Sequence, residues 1–147
     1  MTNQLAIQLI EQDEEALNSL YEERQIGAFL VDWREADDDI ILLAAEAIDS
    51  QELYPGGEGD ELCVCYKNQM TLVPLEWVPG EQDKTLLALN KALFPDYEIR
   101  YIKASEGSDT LAFMILGLET WKNLESTFGA KVDEAFMKLT ASFPLFG

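Results

Sequence analysis

The side chains best suited to chemistry in this sequence are carboxylates, and their densest group runs from Asp32 through Glu35 to Asp37, Asp38 and Asp39. Carboxylates in such numbers can hold a hard divalent cation such as Mg2+ or Ca2+. A calcium loop needs ligands at alternating positions and a glycine at its turn, whereas three consecutive aspartates point in different directions. Standing directly before the apolar positions Ile40, Ile41, Ala44, Ala45 and Ile48, they complement the positive end of a helix. A carboxylate-based enzyme, small-ligand binder or divalent-metal site around Asp32, Glu35 and Asp109 stays open as an alternative. No histidine occurs among the 147 residues. That removes the commonest general base and metal ligand, and with it Ser-His and Cys-His catalysis.

Cys63 and Cys65 flank one residue in an apparent strand, where alternation puts both on the same face. Two cysteines cannot close a tetrahedral thiolate site within one chain, and a bridge across a single residue strains the S–S geometry. They are expected as free thiols acting as small buried hydrophobes, with a soft metal held across a dimer, or a redox pair, as the alternative. The stretch 55–59, Pro-Gly-Gly-Glu-Gly, has the glycines of a phosphate loop. Its Glu58, followed by Asp60 and Glu61, would repel an anion, and neither nucleotide-loop pattern occurs. The hydroxyls and carboxylates of 105–110 fit turn chemistry around Gly107. No cofactor is expected, and the balance of these residues leans against an enzyme.

The elements that must position these groups follow from periodicity. Leu5, Leu9, Ala16, Leu17 and Leu20 predict a first helix whose stripe skips a turn at Gln12 and Asp13. A strand over 28–33 and a helix over about 38–49 come next, then a flexible loop over 50–60. Runs at 62–66 and 71–75 predict a hairpin, with Pro74 ending its second strand or placing it at an edge. Asp83 can cap a helix stopped by Pro95. A strand pair at 97–103 and 111–116 precedes a helix with Trp121, Leu124 and Phe128, and then a last helix with Val132, Phe136 and Leu139. The predicted class is α+β, a mainly antiparallel sheet of about five strands with helices on one face. A doubled ββα unit is suggested by element order alone.

Charge narrows the partners. Residues 1–61 hold 17 acids against two arginines, a net of −15, and residues 62–147 hold 11 acids against eight lysines and arginines, a net of −3. Such a field repels nucleic acid and anionic membranes and attracts basic proteins. The most apolar run, 111–118, is too short for a membrane helix, and the first residues lack the basic region of a signal segment, so a single cytoplasmic domain over 1–147 is expected.

Leu30-Val-Asp-Trp-Arg-Glu35, followed by acids and an apolar helix, resembles a family of small uncharacterised acidic bacterial proteins. Tyr97-Glu-Ile-Arg-Tyr101 and Gly107-Ser-Asp-Thr-Leu-Ala-Phe113 extend the resemblance over roughly 28–128. It implies no reaction and no catalytic residue. Size and acidity also resemble, in composition only, immunity proteins that neutralise basic toxins.

The leading expectation is a non-enzymatic protein-binding module, an acidic inhibitor or immunity-type protein for a basic partner. Trp33 would serve as aromatic anchor. Asp37, Asp38, Asp39, Glu58, Asp60 and Glu61 would supply the attracting charge. The apolar tail 143–146 either packs on its own domain or builds a structural homodimer.

Overall fold

Strand β6 (Thr110–Gly117) carries the fold's organising pattern, an apolar run with no polar residue between Leu111 and Leu116, every member of it buried. A strand that is apolar on both faces must be covered on both. In the computed structural model, which describes residues 4–23, 25–142 and 144–146, it lies inside a four-stranded antiparallel sheet of order β1-β6-β5-β7. The strands are β1 (Ala28–Asp32), β5 (Tyr97–Ile102), β6 (Thr110–Gly117) and β7 (Phe136–Lys138).

Alternation along these strands separates two cores. Ala28, Ala112, Met114, Leu116 and Ile102 face helices α1 (Gln4–Ile10), α2 (Glu14–Glu22), α5 (Leu118–Phe128) and α6 (Lys131–Ala135). Phe29, Val31, Leu111, Phe113, Ile115, Ile99 and Tyr101 face α3 (Asp37–Ala47) and α4 (Gln82–Leu93). The second core continues past α3 and α4 into a three-stranded antiparallel sheet, β2 (Leu53–Gly56), β3 (Leu62–Tyr66) and β4 (Gln69–Val73). The layers therefore run helix, sheet, helix, sheet.

The class is α+β with antiparallel sheets, and it departs from the expected single sheet of about five strands. Among the described residues seven strands form two sheets, and helices cover both faces of the larger one. The order strand, strand, helix does occur twice, as β3-β4-α4 and β5-β6-α5, but the two hairpins belong to different sheets.

Local departures have local causes. The first helix breaks at Gln12, whose φ is 61°, and restarts on Asp13, whose carboxylate accepts the N–H of Glu15 at 3.0 Å. Part of the expected loop 50–60 is strand β2, although it contains Pro55. The Lys67 N–H bonds the Glu52 carbonyl, so hydrogen-bonded pairs fall on even residues of β2 and the Pro55 nitrogen faces the free edge, where no donor is needed. Gly56 is required there, because a Cβ would lie 2.6 Å from Cys65 Sγ. The β3–β4 turn is only Lys67 and Asn68, both left-handed at φ 49° and 67°. The last predicted helix stops at Ala135. Phe136 starts β7 opposite Ile102 and packs edge-on against Trp121 at 5.1 Å.

Asp83 caps the chain's end rather than α4, its two oxygens accepting the N–H groups of Leu145 and Phe146 at 2.7 Å each. Leu145 and Phe146 pack on their own core, with the Phe146 ring stacked 6.4 Å from Phe113. Phe143, the other aromatic of the tail, lies outside the described residues. Among the described residues no helix is long and apolar enough to cross a membrane.

Candidate functional site

One carboxylate shapes the loop between β4 and α4. The side chain of Glu81, 5% exposed, accepts the N–H of Glu76 at 3.0 and 2.9 Å, the N–H of Val78 at 3.0 Å and the Lys84 ammonium at 2.6 Å. The Lys84 bond and then the Glu76 amide bring its pKa from the ordinary 4.5 down to about 2. A carboxyl whose folded pKa is lowered stabilises the fold fully above its unfolded value and loses that contribution as pH falls through the folded one. Acid titration from pH 4.5 down to about 2 is therefore expected to destabilise the wild type more steeply than Glu81→Gln, measured by urea unfolding at each pH. Parallel pH dependences would contradict this role for Glu81.

The loop so held presents apolar side chains to solvent. Trp77 and Val78 are 60% and 55% exposed, and Trp77 has φ 62°, a conformation that disfavours a bulky residue. The Trp77 indole N–H donates to the Asp60 carbonyl at 2.9 Å and ties the loop to the turn bearing Glu58, Asp60 and Glu61. On its other flank, Gln82 Nε2 donates to the carbonyls of Trp33 and Glu35, and Thr85 Oγ1 donates to Asp37 Oδ1 at 2.6 Å. The result is a cleft of about 690 Å3 lined by Trp33, Arg34, Glu35, Asp37, residues 78–82 and Phe146.

The residues singled out in the sequence thus lie on two sides of one loop. Trp33 is 58% exposed, and Asp37, which lines the cleft, opens the first turn of α3 and is followed there by Asp38 and Asp39. Glu58, Asp60 and Glu61 stand across Trp77. Among the described residues Glu35, Asp37, Asp38, Asp39, Glu58, Asp60 and Glu61 make no ion pair. Lys84 is engaged by Glu81 and Glu76, and Arg34 by Asp32 at 3.5 Å. Burial pushes the Asp37 carboxyl up from its usual range, whereas the Arg34 backbone N–H holds Asp32 below it. The Arg34 guanidinium lies 5.5 Å from the Trp33 ring centroid, so this ring already carries a cation on one face.

Glu81, Gln82 and Val78 carry no signal that marks them in the sequence, and Trp77, a residue type expected in a core, is exposed instead. The available signal was a tryptophan beside Pro79-Gly80, an aromatic where a turn leaves little room for burial. The Gln82 amide, oriented by the two carbonyls it serves, leaves Oε1 buried with no hydrogen-bond partner among the described residues.

The alternative metal trio is not assembled. Asp32 turns to Arg34, and among the described residues no group of three or more His, Cys, Asp or Glu could hold a metal ion. Cys63 and Cys65 are free and buried, on the face of β3 away from the core. Burial, and then the Glu61 charge, raise the Cys63 thiol pKa, which works against a thiolate nucleophile. In the 105–110 turn, Ser105 Oγ donates to the Ile102 carbonyl at 2.7 Å and accepts the Ala112 N–H at 3.0 Å.

No protein-family model matches the chain, and no curated protein or solved structure is significantly similar to it. Among the described residues this surface offers exposed aromatic and aliphatic area between groups of carboxylates that make no ion pair, and the hydroxyl that meets a carboxylate there, Thr85 on Asp37, is fully buried.

Proposed function

We propose that this protein is a non-enzymatic binding module that engages a basic partner protein through the Trp33–Val78 cleft and the adjoining Trp77. The observation that carries it is Trp77 itself. An exposed tryptophan held at φ 62° costs the fold on the order of 1 kcal/mol and contributes little burial in return. Strain kept at an exposed position supports a role in recognition. Tryptophan is enriched among residues that dominate interface energies, and carboxylates around such an anchor select a cationic partner and speed its approach. An inhibitor or immunity-type role toward a basic protein is the form this activity would take.

Capture from a cell lysate tests it, with wild type and the Trp33→Ala, Trp77→Ala double variant as baits. A partner of basic isoelectric point is expected on wild type at low salt, lost at high salt and absent from the variant. Identical capture by both baits, or capture insensitive to salt, would exclude this surface.

A further inference from the structure

Strand β1 is an edge of the four-stranded sheet, and its hydrogen-bonding phase can be read from its ends. The Ile115 N–H bonds the Gly27 carbonyl at 2.7 Å, and the Trp33 N–H bonds the Asp109 carbonyl at 3.4 Å. Both pairs follow the register that sets Phe29 opposite Phe113 and Val31 opposite Leu111. Antiparallel bonding alternates, so Phe29 and Val31 spend their backbone groups on β6 while those of Ala28 and Leu30 point away from the sheet. Among the described residues nothing bonds the N–H or carbonyl of Ala28 or Leu30.

These open groups do not face bulk solvent on a bare edge. They lie in a groove of about 270 Å3 with Leu20, Glu22 and Glu23 at the α2 side and Leu43, Glu46 and Ala47 at the α3 side. Natural edges are blunted by proline, bulges or lysine, as Pro55 blunts β2. Residues 28–32 of β1, Ala-Phe-Leu-Val-Asp, carry none of these and keep an unbroken register. Backbone groups left unpaired beside buried apolar side chains are costly unless a partner supplies the missing bonds.

We infer that the β1 edge is a docking groove for an extended, basic segment of a partner protein, which adds to the sheet as a fifth strand. Main-chain bonds to Ala28 and Leu30 hold the segment. Its alternate side chains fall to opposite sides, apolar ones toward Leu43 and Ala47 and basic ones toward Glu22 and Glu23. The inference stands independently of the Trp33–Trp77 surface.

Amide hydrogen exchange of the full chain tests it, with an acetylated and amidated Lys-Val-Lys-Val-Lys peptide as probe. In the free protein Ala28 and Leu30 are expected to exchange fast between slow Phe29 and Val31. Peptide at ten times its Kd should slow Ala28 and Leu30 about tenfold by mass action. Leu30→Pro removes an outward N–H without touching the β6 ladder, and should weaken the peptide about tenfold. Glu22→Gln with Glu23→Gln, which spares the strand, should weaken it and flatten its salt dependence. Slow exchange at Ala28 and Leu30 in the free protein would overturn the inference. So would the absence of peptide-induced protection there at millimolar concentration, or equal binding of a Glu-Val-Glu-Val-Glu peptide.

Discussion

Replacing Arg100 with alanine is expected to lower the unfolding free energy by about 3–5 kcal/mol, the usual cost of removing one partner from a buried ion pair. In a chain of this size that corresponds to a fall in Tm of roughly 10 °C. Arg100 is 2% exposed on β5, on the face of the larger sheet that α5 covers. Its guanidinium bonds Glu98 at 3.2 and 3.1 Å and lies 4.1 Å from the Trp121 ring centroid. Nη1 stands 3.2 Å from Glu125 Oε2 as an ion pair, without an aligned hydrogen bond. The Trp121 indole N–H is itself fixed by the Glu98 carbonyl at 2.9 Å. Strand β5 and helix α5 are therefore joined through one cation, and deletion leaves a void against Trp121 as well as an unpaired Glu98. Arg100→Met fills most of that void and should cost less, since Glu98 and Glu125 are 20% and 38% exposed and can turn to water. Urea unfolding of both variants checks the ranking; an alanine variant within about 0.5 kcal/mol of wild type would contradict this role.

The second large effect concerns recognition without stability. Trp33→Ala and Trp77→Ala are each expected to weaken binding of a captured partner by about 2 kcal/mol or more, some thirtyfold, as tryptophans at the centre of an interface do. Both side chains are more than half exposed, so neither change should move the unfolding midpoint as the Arg100 change does. Neutralising Asp38 and Asp39 should instead slow association and reduce its salt dependence while leaving dissociation nearly unchanged. Titration calorimetry and stopped-flow association with that partner separate these outcomes. Full affinity in the double tryptophan variant would remove the cleft from recognition.

Most elements could be read from local pattern, because helical stripes and strand alternation are written within a few turns of chain. The acidic start of α3 and the stop at Gly129 are of this kind. The division into two sheets is not, since it depends on which hairpin α3 and α4 cover. The clue was the unbroken apolar run 111–116, which demands burial on both faces. Strand β2 was hidden by Pro55, whose tolerance depends on lying at an edge with its nitrogen outward. Strand β7 was hidden by the spacing of Val132, Phe136 and Leu139, which fits a helix until the pairing with β5 overrides it. At the candidate site the attracting residues carried a visible signal in Trp33 and Asp37–39. Glu81 and Gln82 did not: Glu81 acts through the loop amides of Glu76 and Val78, which no helix or strand pattern marks, and Gln82 through the carbonyl of Trp33, 49 residues away.

Everything proposed for the cleft requires that its two exposed tryptophans stand in a negative local field. Fluorescence quenching by caesium and by iodide measures that field, with each quencher scaled to free N-acetyltryptophanamide. Trp121, 1% exposed, supplies the protected background. Caesium is expected to quench Trp33 and Trp77 more efficiently than iodide at low ionic strength, with the difference closing as sodium chloride is added. Equal efficiencies, or better quenching by iodide, would contradict an acidic recognition surface at this cleft.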